Sequence, residues 1–127
     1  MRYGILLIAI LFSLSSCAPT HKVRVQYRSL DVEAFEKYIA RENVLLVDVR
    51  TAEEFAAGHI PGAVNIPNEA IGTDEIPELP DKDQLIMVYC RSGRRSKEAA
   101  EKLVKLGYTN IVEFGGILDW KGGIVTD

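Results

Sequence analysis

Gln84-Leu85-Ile86-Met87-Val88-Tyr89-Cys90-Arg91-Ser92-Gly93-Arg94-Arg95-Ser96 is the stretch that decides the fold. From Leu85 to Tyr89 the chain is continuously apolar, without the polar alternation of a half-exposed strand. A run of this kind reads as a strand buried on both faces of a parallel sheet. The character then changes abruptly to a polar segment from Cys90 to Ser96. From Lys97 to Leu106, the residues Ala100, Leu103, Val104 and Leu106 recur at helical spacing, and Gly107 ends the run. The unit is therefore strand, turn, helix. In open α/β sheets chemistry collects beyond the carboxyl ends of the strands. Cys90 stands at that place, one residue after Tyr89.

The same alternation extends on both sides. Asp31 is an N-cap for a helix reaching about Arg41, with Phe35 and Ile39 one turn apart on a single face. Val44-Leu45-Leu46-Val47-Asp48-Val49 is a second buried strand. Thr51 and Glu54 form a capping-box pattern for a short helix that Gly58 ends. His59 to Pro67 turns into a short strand. Asn68 to Asp83, with Pro77, Pro80 and several acids, reads mostly as loop. Ile111-Val112-Glu113-Phe114 is a last strand, and Gly115-Gly116 turns into a short helix around Trp120. This pattern predicts an α/β domain with a central, mostly parallel sheet and helices on both faces.

A lone cysteine at a strand end is usually buried and inert. Three features oppose that reading for Cys90. The thiol is expected to face a polar turn. Arg91, Arg94 and Arg95 follow within five residues, and positive charge favours a thiolate over a thiol. The turn also opens a helix, whose first N–H groups have no partner within the helix and whose dipole is positive at that end. Gly93 permits a backbone path that aims successive N–H groups inward, as an anion-binding nest.

The motifs resemble those of the rhodanese family. Val47 to Phe55, followed by Gly58 to Pro67, is similar to the family's first signature. Tyr89 to Ser96 is similar to its active-site loop, and Gly115 to Trp120 to its closing segment. The three occur in order across roughly residues 29–123. The resemblance implies a rhodanese-like three-layer domain with a five-stranded sheet. It also implies a sulfurtransferase reaction without cofactor, in which Cys90 carries sulfur as a persulfide. The donor would be thiosulfate or a similar small sulfur-containing anion, and the acceptor an external thiol or cyanide. Backbone N–H groups of Arg91, Ser92, Gly93, Arg94, Arg95 and Ser96 would cradle the terminal sulfur, and the arginines would steer the anion. Asp48 would accept from backbone near the turn, and Arg50 would pair with a helix acid such as Glu54. Plain stabilisation of the fold is the simpler role for both. His59 is not needed as a base, and Trp120 reads as a lid over the sheet edge.

Two other functions would use the same cysteine. Dual-specificity phosphatases carry an arginine six residues beyond the cysteine. Here that residue is Ser96, with Arg95 one position earlier, and the shorter loop suits sulfur better than a phosphoryl group. A sulfur carrier without turnover would also use Cys90, and turnover with thiosulfate and cyanide separates carrier from enzyme.

The first residues read as an address. Arg2, the apolar run Ile5 to Phe12 and the small residues Ser15 and Ser16 have the layout of a secretory signal. The run is well short of the ~20 residues that span a bilayer as a helix. Leu14-Ser15-Ser16-Cys17 resembles the lipobox of bacterial lipoproteins, which implies cleavage before Cys17 and a lipid on its thiol. The expected organisation is a signal peptide over 1–16, a tether over 17–27 and the folded domain over 28–127. The mature chain would then be anchored to a membrane in the cell envelope, on its periplasmic or extracytoplasmic side.

Composition closes other routes. The formal charge is −3, and removing Arg2 with the leader makes it −4. A binder of nucleic-acid phosphates shows a basic excess or stripe, so nucleic acid is not an expected partner. The chain has two cysteines and two histidines, Cys17, Cys90, His21 and His59. They form no CxxC or Cys/His cluster, so no metal site is expected.

Overall fold

A computed structural model describes residues 26–41 and 43–127. The leader, Cys17 and most of the tether lie outside the described residues. Five strands, β1 (Arg28–Ser29), β2 (Leu45–Asp48), β3 (Val64–Asn65), β4 (Ile86–Cys90) and β5 (Ile111–Gly116), form one sheet. Their order is β1-β5-β4-β2-β3, and every pairing is parallel. Three helices accompany them, α1 (Val32–Ile39), α2 (Ala52–Ala57) and α3 (Arg94–Lys105).

The layers follow from the two-residue period of β4, all of which is buried. Ile86, Val88 and Cys90 join the cluster that takes Ala99, Ala100 and Leu103 from α3. Met87 and Tyr89 join the opposite cluster around Phe35 of α1. There the Phe35 and Phe114 rings stack with centroids 3.6 Å apart. Trp120 meets Phe35 edge-on from the rim and donates from Nε1 to Gly123 O. A continuous apolar run becomes a central strand because both of its faces are covered. The segment between β3 and β4 is mainly loop, with one 3-10 turn at Asn68–Ala70. It contributes Ile71, Ile76 and Leu79 to the α3-side core. Tyr27, at the end of the expected tether, also packs against that core.

The boundaries differ from the sequence reading in instructive places. Asp31 caps α1 by accepting from Ala34 N, but the helix ends at Ile39 rather than near Arg41. The Thr51–Glu54 capping box forms, and Gly58 is the C-cap of α2. α3 begins at Arg94, three residues before Lys97. Its N-cap is Gly93, which has no side chain to mark the start. Gly115 and Gly116, read as a turn, are the last residues of β5.

Two ion pairs fix the carboxyl end of the sheet, and one corrects an expectation. Arg50 pairs with Asp48, not with Glu54. Its Nη2 lies 2.7 Å from Asp48 Oδ2 and also donates to Gly58 O at 2.6 Å. Asp48 Oδ1 accepts from the Arg50 amide at 2.9 Å. The pair is buried with its remaining valences satisfied, the condition under which a buried ion pair is tolerable. Beside it, burial pushes the Tyr89 phenol above its ordinary range, and Asp48 adds to the rise. Tyr89 Oη also accepts from Ile60 N at 3.1 Å.

Glu54 instead takes Arg95, two-pronged at 2.6 and 3.0 Å, which ties α2 to the first turn of α3. This bidentate geometry is the strong form of a carboxylate–guanidinium pair. The hydrogen bonds from Arg95, with those from Thr51, lower the Glu54 carboxyl from 4.5 to about 2. A depressed carboxylate contributes stability that is complete above its unfolded value and is lost as pH falls through the folded one. Stability should therefore decline between pH 4.5 and about 2 through this group. In urea titrations at stepped pH, Glu54→Gln should lower stability near neutrality and flatten that acid limb. An unchanged acid limb in the variant would contradict the assignment.

Candidate active site

The site is built where β4 ends and α3 begins. Only Arg91, Ser92 and Gly93 separate Cys90 from the first helical residue. So short a connection requires an unusual backbone, and Gly93 supplies it with φ +124°, a region that side chains disfavour. The result is a turn folded back over the sulfur: Gly93 N donates to Cys90 Sγ at 3.0 Å. On the other side Sγ lies 3.7 Å from Gly115 O, within reach of a thiol donor. The expectation that the thiol faces a polar turn is half the picture. Cys90 is 1% exposed and also packs into the α3-side core, so the sulfur has an apolar floor and a polar roof.

The roof includes the open end of α3. Arg94, Arg95 and Ser96 are its first three residues, and the first amide with a carbonyl partner is Lys97 N, bonded to Gly93 O at 3.1 Å. The amides before it have no acceptor within the helix, and the helix dipole is positive there. Three of the six residues expected to form a loop around the sulfur are thus the first turn of a helix. The anion-attracting property is retained, and its source is helical geometry as well as the turn.

The three arginines separate. Arg91 is exposed, and its carbonyl accepts from Leu118 N at 3.3 Å. The Arg94 side chain is 76% exposed and pairs with Glu98 one turn on. Arg95 is mostly enclosed by Glu54. Its pKa is raised, first by those hydrogen bonds and, against burial, by the charges of Glu54 and Cys90. Among the described residues no guanidinium is hydrogen-bonded to Cys90.

Ser96 turns inward. Its side chain is fully buried, with Oγ 2.8 Å from Gly93 O, 3.0 Å from Glu113 Oε1 and 3.2 Å from Gly115 O. Its hydroxyl is therefore part of the scaffold beneath the turn, and only its amide belongs to the helix end. Glu113 is the residue that sequence reasoning missed. A single acid inside an apolar strand was the available signal, and it carried no hint of its partners. Gly116 closes the site from β5: a Cβ there would lie 1.8 Å from Arg91 O. No other residue fits that contact, which explains the second glycine of the closing segment. His59 stands apart, stacked on Phe55, with Nδ1 2.9 Å from Phe55 O and Nε2 3.4 Å from Asp127. Cys17 lies outside the described residues.

Residues 31–122 match the Rhodanese-like domain family. The thiosulfate sulfurtransferase PspE of Escherichia coli is 38% identical over 73 residues, which cover 58% of this chain and 70% of that one. A sulfurtransferase of Allochromatium vinosum is 41% identical over 93 residues, covering 72% and 85% respectively. Among solved structures, a rhodanese with anions from E. coli superposes with a TM-score of 0.60 at 34% identity, covering 66% of this chain and 99% of that one. The human single-domain sulfurtransferase TSTD1 superposes with a TM-score of 0.67 at 27% identity, covering 75% and 97%. With its parallel five-stranded sheet, its cysteine turned under a helix end and a match along most of its described length, the chain belongs to the rhodanese-like family.

Proposed function

We propose that this sulfurtransferase-family domain moves sulfane sulfur from thiosulfate, or a similar anionic donor, to an external thiol or cyanide through a persulfide on Cys90. The observation that carries the reading is the Gly93 N–H donated to Cys90 Sγ at 3.0 Å, at the mouth of α3. A donor aimed at sulfur and a positive helix end favour negative charge on the reacting atom, which is the requirement for an activated thiolate.

The steps balance as two displacements. The Cys90 thiolate attacks the outer sulfur of thiosulfate, and a new S–S bond forms. The old S–S bond breaks, and sulfite leaves with its electron pair. The terminal sulfur of the persulfide then carries the negative charge that the thiolate carried, and the same N–H groups serve both states. Preorganised dipoles of this kind need no rearrangement as charge moves by one atom. An incoming cyanide or thiolate attacks that terminal sulfur, and Cys90 leaves as thiolate. Cys90 is the one free cysteine among the described residues, so the acceptor comes from outside this domain.

The phosphatase alternative finds no support in the site. The position six beyond Cys90 is Ser96, buried and bonded to Gly93 O and Glu113. A guanidinium that could clamp phosphoryl oxygens is not at that position. The Leu14-Ser15-Ser16-Cys17 motif supports a lipid anchor and a place at the cell envelope.

Two outcomes test the reading. The soluble domain should turn over thiosulfate and cyanide to thiocyanate and sulfite, and Cys90→Ser should reduce this to background. Turnover of p-nitrophenyl phosphate should be negligible; efficient hydrolysis lost in Cys90→Ser would reverse the assignment. For the anchor, Cys17→Ala expressed with its leader should leave the membrane fraction while the isolated domain keeps its activity. Native protein recovered without lipid in the soluble fraction would refute that part.

A further inference from the structure

We infer that Glu113 is a positioning residue for Cys90, a buried carboxylate that sets the catalytic turn through the hydroxyl of Ser96. The inference rests on the sulfurtransferase reading and adds a residue to it. Glu113 lies in β5 opposite Val88 of β4, two residues before Cys90. It is 2% exposed. Its Oε1 accepts from Ser96 Oγ at 3.0 Å, and its Oε2 from Ser29 Oγ at 2.9 Å. Among the described residues it takes part in none of the ion pairs. A carboxylate buried without a cation is costly, and an apolar residue would fill such a strand position more cheaply. What the acid provides here is a fixed acceptor on each side.

The path from Glu113 to the sulfur is short. Ser96 Oγ, held by Glu113, lies 2.8 Å from Gly93 O. Gly93 is the residue of positive φ whose own N–H meets Cys90 Sγ. Ser96 Oγ, placed between Glu113 Oε1 and Gly93 O, thus lies against the carbonyl side of the glycine while the amide side points at sulfur. A Cβ on Gly93 would itself lie 3.9 Å from Glu113 Oε1, so the acid sits directly beneath the turn. Ser29 ties the other carboxylate oxygen to the edge strand β1. Removing the acid lets the Ser96 hydroxyl turn wholly to Gly93 O or Gly115 O, the other acceptors within reach, and so alters the peptide that aims the Gly93 N–H.

Charge and position can be separated, because Glu113→Gln and Glu113→Leu both remove the charge but only glutamine keeps acceptor and donor for Ser29 and Ser96. Each folded variant is assayed for thiosulfate:cyanide turnover and for alkylation of Cys90 by iodoacetamide across pH. The expected result for Glu113→Leu is a fall in kcat of about ten-fold with KM for thiosulfate little changed, and a comparable fall in alkylation rate near neutrality. Glu113→Gln should recover most of both, and Ser96→Ala should reproduce the leucine variant with the carboxylate intact. If glutamine and leucine change both readouts equally, the effect is one of charge and the inference is wrong. Wild-type rates in Glu113→Leu, or in Ser96→Ala where the leucine variant does not fold, overturn it as well. Alkylation needs no sulfur donor, so it tests the role of Glu113 even if thiosulfate proves not to be a substrate.

Discussion

The hydrogen bond from Gly93 N–H to Cys90 Sγ is the constraint around which the domain is arranged. It forms only if the chain reverses within three residues between a buried strand and a helix. That reversal needs a glycine of positive φ at its apex and a second glycine, Gly116, on the adjoining strand, where Arg91 O passes too close for any side chain. It also needs α3 to be held at a fixed depth against the sheet. Ala99, Ala100 and Leu103 pack it down, and the Glu54–Arg95 pair fixes its first turn sideways against α2. The turn over the sulfur is thus set by the packing of the fold itself.

The sheet explains why the site lies at this edge. With all pairings parallel, the carboxyl ends of β2, β4 and β5 lie on one side of the molecule. Asp48, Cys90 and Gly116 are the last residues of those three strands. Asp48 and Arg50 brace the rim, closing onto Gly58 O, while β5 supplies the floor and wall of the cysteine turn. The stabilising ion pairs and the cysteine turn thus share the same edge.

Much of this was legible in the sequence where local rules act. The buried strands β2 and β4 announced themselves as apolar runs, the α2 capping box by Thr51 and Glu54, and the place of Cys90 by the change from apolar strand to polar turn before a helix. The start of α3 was not legible, because Gly93 carries no capping side chain and Arg94-Arg95-Ser96 looks as much like loop as like a first turn. Partner choice was not legible either. Glu54 could have taken Arg50, four residues away, but Asp48 is two residues from Arg50 along a strand end and holds it in a fork. That leaves Glu54 for Arg95, 41 residues on. Glu113 and Ser96 meet only when β5 lies beside β4 and beneath α3, a contact that no local pattern encodes.

In the proposed reaction Cys90 itself carries the transferred sulfur. Intact-mass measurement of the soluble domain after exposure to thiosulfate alone, with peptide mapping under non-reducing conditions, tests it most directly. The expected result is a gain of one sulfur atom on the peptide containing Cys90, lost on adding cyanide as thiocyanate forms. An unmodified Cys90 in protein that nevertheless produces thiocyanate from thiosulfate and cyanide would contradict it.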